Sequence, residues 1–314
     1  MKKKINSKLL KVSIGIPAFN EENNIFYLLN SLLKQKQISY QLLEIIVITD
    51  GSKDSTPKLV KSIRNPIIKL IEGKKRIGQQ LRQNQMISLF KGDILVIIEA
   101  DTLPSSEKTI AELIRSFKNK HNRNLGMVIS QSIALKPKTF LETTMFQGYK
   151  AKKDMFVKWK NGVNIYTSGG HSIRAISRQF LQSFSWSPDA PEDAYVYLML
   201  KTKGFRIERR AKAISFMRNV TNLTDRIKQR SKFESGKKAL RKYFDAKLIR
   251  SEYRIPLGLI ISSTLKALIN NPFWTLAYLL QLALFWVLTI RSNHSNLLSS
   301  QYPSTKTLIT NQKN

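Results

Sequence analysis

The sequence predicts an α/β fold with a mainly parallel sheet flanked by helices and a hydrophobic helical segment towards the C-terminus. Three observations carry this expectation. Short aliphatic runs alternate with amphipathic stretches through the first half of the 314 residues, the pattern of βαβ units. Two of the runs end in acids: Leu42 to Ile48 leads into Thr49-Asp50, and Ile94 to Ile98 leads into Glu99-Ala100-Asp101. Aliphatic runs without polar alternation read as strands covered on both faces, and ligands of open α/β sheets bind outside the carboxyl ends of such strands. Finally, Pro272 to Ile290 is a stretch of 19 residues without a charge.

In chain order, Val12 to Ile16 reads as a first strand stopped by Pro17, and Glu21 to Leu33 as a helix with Ile25, Leu28, Leu29, Leu32 and Leu33 on one face. Leu42 to Ile48 is the second strand. Ser55 to Ile63 is a short helix with Pro57 in its first turn, where proline is tolerated. Ile67 to Ile71 is a strand, Gly78 to Phe90 a helix and Ile94 to Ile98 a strand; Thr109 to Phe117 is a helix and Met127 to Ser130 a strand. Past about residue 135 the alternation loosens into a helix over Phe140 to Trp159, a turn at Gly169-Gly170, and a loop through Pro188 to Pro191 opening a helix at Glu192. The expected divisions are residues 1–250 (one half over 12–104 and a second over 105–250), a hydrophobic membrane-associated segment over 251–291, and a polar, disordered tail over 292–314.

With 53 Lys and Arg against 21 Asp and Glu, the net charge is +32. This predicts attraction to polyanions without choosing among nucleic acid, anionic lipid and phosphorylated substrates. Residues 201–250 alone hold 17 Lys and Arg against 4 Asp and Glu. The absence of cysteine excludes disulfides and thiolate metal sites. The basic start, Met1 to Lys4, is not followed by an apolar core, so a secretory signal is not expected. Pro272 to Ile290 approaches the ~20 residues needed to cross a bilayer, and Phe273, Trp274, Tyr278 and Trp286 are interface-type aromatics. Membrane association with the basic domain on the cytoplasmic side follows from the positive-inside rule. Ile255 to Ile269, interrupted by Lys266, is short for a span and suits an interfacial helix or half of a hairpin.

Taken one at a time, the polar motifs are modest signals. Pro17-Ala18-Phe19-Asn20-Glu21-Glu22 opens a helix after a strand, where backbone N–H groups and the helix dipole can face a ligand. Asp50 stands at a strand tip beside Gly51, while Asp54 and Ser55 suit a helix cap. Glu99 and Asp101 are hard oxygen donors that suit Mg²⁺ or Mn²⁺.

Together and in this order the motifs resemble the nucleotide-diphospho-sugar glycosyltransferases of family 2. The carrying residues are P-A-F-N-E-E, D-G-S-x-D-S-T, Gly78 to Asn84, Gly92-Asp93 and the strand ending in Ala100-Asp101; Pro191-Glu192-Asp193 before Lys201-Thr202-Lys203-Gly204-Phe205 continues the likeness. Ser168 to Arg174 looks like the family's small-residue loop on the acceptor side, with His171 structural or substrate-lining. Gln229-Arg230-Ser231-Lys232-Phe233 resembles its Q-x-x-R-W segment, with Lys232 and Phe233 as departures. Thr49, Met86 and Glu99 also depart from the commoner residues. The resemblance implies a GT-A fold and an inverting, metal-dependent transfer from a UDP- or GDP-linked sugar. It implies donor contacts at Pro17, Phe19, Glu21, Asp50, Asn84 and Asp101, metal on Asp101 with Glu99 the less direct ligand, and Asp193 as the base that deprotonates an acceptor hydroxyl. Glu192, Gln229, Arg230, Lys232 and Phe233 would serve the diphosphate and acceptor side, and the acceptor would be a lipid-linked glycan, a polyprenyl phosphate or a polysaccharide. The competing classes are a basic nucleic-acid-binding protein and an inactive membrane-bound scaffold. Acid-tipped strands and the lack of aromatic interleaving argue against nucleic acid as a partner.

Overall fold

The computed structural model describes residues 9–38, 40–119, 124–168, 173–290 and 303–308. The strands are β1 (Leu10–Ala18), β2 (Tyr40–Asp50), β3 (Ile68–Gly73), β4 (Ile94–Ile97), β5 (Thr102–Pro104), β6 (Leu125–Ala134), β7 (Arg174–Ser177) and β8 (Arg206–Met217). They form one eight-stranded sheet in the order β3-β2-β1-β4-β7-β6-β8-β5. The pairs from β3 to β4 are parallel, as are β6 and β8; β7 runs antiparallel to both its neighbours and β5 antiparallel to β8. The helices are α1 (Ile25–Leu33), α2 (Thr56–Ser62), α3 (Gln79–Leu89), α4 (Thr109–Ile114), α5 (Phe140–Lys158), α6 (Arg178–Leu181), α7 (Glu192–Thr202), α8 (Leu223–Ala239), α9 (Ala246–Tyr253), α10 (Leu257–Asn270) and α11 (Pro272–Ile290).

The aliphatic runs are buried on both faces, as their lack of alternation predicted. Ile45 and Val47 of β2, with Ile94 and Val96 of β4, join one core cluster with α1 and α4. Their neighbours Ile46, Ile48, Leu95 and Ile97 join a second cluster on the opposite face with α7 and Trp186. Parallel register then lines up the carboxyl ends: Ala18 lies opposite Thr49, and Gly15 opposite Ile97. Asp50 and the Glu99 to Asp101 turn are thereby delivered to one edge.

Pro17 does not stop β1, which continues to Ala18 with Pro17 opposite Ile48. The pairing of β1 with β4 ends at Gly15, so on that side the proline removes no ladder bond. β5, β7 and β8 were not expected; β8 carries four basic residues among its twelve, which masks its apolar periodicity.

Among the described residues no helix is long and apolar enough to cross a membrane. The uncharged run Pro272 to Ile290 forms the expected apolar helix, α11, without meeting the length and hydropathy of a span. α11 docks one face on α5 and α8, with Thr275 accepting from the Gln147 side chain at 3.0 Å. At Gly148 the missing side chain admits the Tyr278 ring, which a Cβ would meet at 2.1 Å. The outward faces of α10 and α11 nevertheless expose Leu257, Ile261, Leu265, Ile269, Phe273, Leu276, Leu280 and Leu284.

Candidate active site

The carboxyl edge of the sheet opens into a cavity of about 970 Å³ that reaches from the tips of β1, β2 and β4 to α5, α8 and α11. Its donor-side wall is made of two interlocked loops. The Asn20 side chain accepts from Lys53 N at 2.9 Å, and Asn20 N donates to Ser52 Oγ at 3.0 Å. Glu22 accepts from Ser55 N, and Asp54 accepts from Glu22 N and from Thr56 N and Oγ1. Asp54 therefore braces the start of α2, as its position predicted.

Asp50 is 5 % exposed and its carboxylate has three donors: Ile77 N (2.8 Å), Gly78 N (2.9 Å) and Arg82 Nε (2.8 Å). It holds the turn into α3 in place, with lone-pair room for a further donor. Asn84 does not line the cavity. Both ends of its amide bond the backbone of Trp186, 102 positions on, so the donor contact expected of it is corrected to a strut between α3 and the Trp186 loop. The Phe19 ring carries the Arg76 guanidinium 4.3 Å from its centroid.

Glu21 is buried, receives Asn24 Nδ2 at 3.0 Å, and pairs with Lys306 Nζ at 2.6 Å. Burial and then the charge of Asp101 push its carboxyl up to about 7, against the opposing pull of Lys306. Lys306 belongs to residues 303–308, which fold back onto this wall. Its ammonium also donates to the carbonyls of Phe19 and Asn20, Thr305 Oγ1 donates to Asp101 Oδ2 at 3.3 Å, and Leu308 N donates to Asn24 Oδ1 at 3.0 Å. A disordered tail was expected here; for these six residues the finding is a short ordered segment lining the site. Threonine and lysine are ordinary tail residues, and only the fold reveals their partners.

On the acceptor-side wall, Arg174 at the start of β7 is 1 % exposed. Its Nη1 donates to Asp193 Oδ1 at 2.7 Å, and its Nη2 donates to Glu192 Oε1. Gln83 Nε2 also donates to Glu192. Burial raises Glu192 to about 7, with Asp193 and Glu99 adding to the rise and Arg174 opposing it. Carboxylate oxygens of Glu99, Glu192 and Asp193 lie within 4.8 Å of one another. Glu99 and Asp101, two residues apart, thus serve different neighbours: Glu99 faces the Arg174 group, and Asp101 faces Glu21 and the 303–308 segment. The all-oxygen donor set fits a hard divalent cation. Arg174 already pairs with Glu192 and Asp193, and Asp101 lies outside this three-carboxylate group.

Gln229, Arg230, Lys232 and Phe233 of α8 all line the cavity. Gln229 accepts from Arg226 at 2.6 Å, and Phe233 stacks on Tyr166 and meets Tyr253 edge-on. Of the small-residue loop, Gly169 to Ser172, including His171, lies outside the described residues. Lys152 and Arg226, also in the cavity wall, were missed. The i,i+4 spacing of Arg226 and Arg230 was a visible signal, because like charges four apart on a helix repel.

The model of the family described as Glycosyl transferase family 2 matches residues 13–181, more than half of the chain. The chain belongs to glycosyl transferase family 2. The chain is 28 % identical over 117 residues to the uncharacterized glycosyltransferase YkcC of Bacillus subtilis, covering 36 % of this chain and 35 % of that protein. It is 28 % identical over 109 residues to an undecaprenyl-phosphate 4-deoxy-4-formamido-L-arabinose transferase of Yersinia pestis, covering 33 % of each. The matches span about a third of the length of these curated relatives. The fold is similar to that of the mannosyltransferase PcManGT of Pyrobaculum calidifontis in complex with GDP-Man and Mn²⁺, with a TM-score of 0.60 at 17 % identity over 90 % of this chain and 84 % of that one. It is also similar to Staphylococcus aureus TarS 1-349 in complex with UDP-GlcNAc, with a TM-score of 0.53 at 18 % identity over 72 % and 66 %. A mixed sheet flanked by helices in this family fits the expected GT-A architecture.

Proposed function

We propose that the protein is an inverting, metal-dependent glycosyltransferase that moves a sugar from a UDP- or GDP-linked donor to a lipid-linked acceptor at a membrane surface. The observation that carries the reading is the convergence on one cavity of the donor-side loops, with Pro17, Phe19, Glu21, Asp50 and Asp101, and the Arg174-held carboxylates Glu192 and Asp193. A Mn²⁺ or Mg²⁺ ion held by Asp101 and Glu99 would supply charge neutralisation for a departing nucleoside diphosphate. Phe19 and its Arg76 partner bound the nucleotide end, and Asp50 keeps the Ile77-Gly78 turn open beside it. Asp193 is the base: Arg174 orients it and keeps it beside the cavity, where it would take a proton from an acceptor hydroxyl. Arg230 and Lys232 supply positive charge on the same wall.

The lipid-linked acceptor is favoured by the exposed apolar faces of α10 and α11 next to the cavity, and a relative in Yersinia pestis is named for undecaprenyl phosphate. With the helices lying against α5, contact with a membrane would be through the surface of the hairpin. Turnover of UDP- and GDP-sugars by the purified protein with Mn²⁺, and its loss in EDTA, is the expected outcome. Asp193→Asn should lower turnover about 10²–10⁴-fold while nucleotide binding persists. Failure of any nucleoside diphosphate to bind with Mn²⁺ present would sink the reading.

A further inference from the structure

The cavity that holds Asp50, Glu99, Asp101 and Asp193 is also lined by Lys152 of α5 with Arg226 and Arg230 of α8. Arg226 and Arg230 stand four apart on one helix face, and the Lys152 ammonium lies 5.7 Å from the centroid of the Tyr278 ring of α11. Among the described residues none of these three cations has an ion pair with a carboxylate; Arg226 donates to the neutral Gln229. Three cations in a partly desolvated wall repel one another, a cost that a matching anion would relieve. The strain is visible at Lys152, whose ammonium is pushed down to about 8 by burial and by the charges of Arg226 and Arg230. Arg226 is pushed down in the same sense, chiefly by burial.

The surroundings of the cluster identify the ligand class. Tyr278 and Leu282 of α11 and Ile255 before α10 line the same cavity with apolar surface, and α11 carries further apolar side chains on its outward face. We infer that Lys152, Arg226 and Arg230 form a site for the phosphate of an acceptor carried on an apolar chain, a lipid monophosphate or a lipid-linked diphosphate. The chain would leave along α11. This deepens the glycosyltransferase reading and rests on it: the acceptor is anchored by its phosphate in the same cavity as the donor loops.

Binding by the full-length protein in detergent tests the site, with farnesyl phosphate, farnesyl diphosphate, farnesol and inorganic phosphate as probes. The phosphorylated chains should bind at least about tenfold more tightly than farnesol or inorganic phosphate, and added salt should weaken only the charged ligands. Lys152→Met and Arg226→Met should each weaken farnesyl phosphate about tenfold or more, with Arg226→Lys retaining more binding than Arg226→Met. Titration of UDP and GDP with Mn²⁺ on the same variants should give wild-type affinity, which also verifies that they are folded. Preference for one phosphorylated chain over the other would tell lipid monophosphate from lipid diphosphate. Equal binding of farnesol and farnesyl phosphate, or loss of nucleotide affinity in place of lipid affinity, would overturn the assignment. Nucleotide binding that survives such a result would leave the glycosyltransferase reading standing.

Discussion

Arg174 ties the acceptor side together through charge-assisted hydrogen bonds to two carboxylates. It is buried between Glu192 and Asp193, with Glu99 close enough to form a three-carboxylate group within 4.8 Å. Arg174→Met would leave that group without its cation, and removing one partner of a buried ion pair costs about 3–5 kcal/mol. Urea unfolding should show a loss of that order, with Arg174→Lys recovering part of it because lysine gives one point charge in place of a two-pronged fork. Glu21 offers a separate check by pH. Its folded carboxyl titrates near 7 against an ordinary value of 4.5, so the folded state binds the extra proton between those values. The stability it contributes is complete below about 4.5 and is lost as pH rises through about 7. In EDTA, melting temperature of the wild type should therefore fall relative to Glu21→Gln across this window; parallel curves would reject the shift. Residue positions at the strand tips were legible in the sequence, but partners were not. Asn84 meets Trp186 and Asp50 meets Arg82 only because α3 packs beside β2, and no local pattern encodes a contact of that kind.

At the scale of elements, the runs in β2 and β4 were legible because both of their faces are apolar, and α1 was legible because one face is. β8 was hidden by its arginines, and β5 by being three residues long. The C-terminal helices were legible as apolar, but hydropathy counts side chains without saying what they face. The α5–α11 contact is closest at a single position. Gly148 leaves room for the Tyr278 ring, and a Cβ would stand 2.1 Å from it. Gly148→Ala should push α11 away from α5 and destabilise the protein by about 1–3 kcal/mol, as overpacking does. Adding Tyr278→Leu should recover much of the loss by removing the ring that clashes. A Gly148→Ala variant that melts like wild type would show that α11 does not dock on α5 in this way.

The whole molecule combines a net charge of +32 with an apolar face on α10 and α11, where Ile269 is 82 % and Leu280 72 % exposed. Each property alone is ambiguous; their adjacency is informative. Basic residues near an anionic bilayer contribute about 1 kcal/mol each and lose that within a Debye length, whereas apolar surface entering the interface contributes about 25 cal/mol per Å² whatever the salt. The two contributions can therefore be separated by measurement. Vesicles containing anionic lipid should bind the protein strongly at low salt, and a weaker, salt-resistant fraction should remain at high salt. Ile269→Asp with Leu280→Asp should remove the salt-resistant fraction, because each places a charge on the face that would be buried, while most of the low-salt binding persists. Binding that vanishes completely with salt and ignores the two substitutions would assign the attraction to charge alone and leave the apolar face to some other occupant. A lipid-anchored acceptor makes the first outcome the expected one, since α11 carries this face on one side and lines the cavity with Tyr278 and Leu282 on the other.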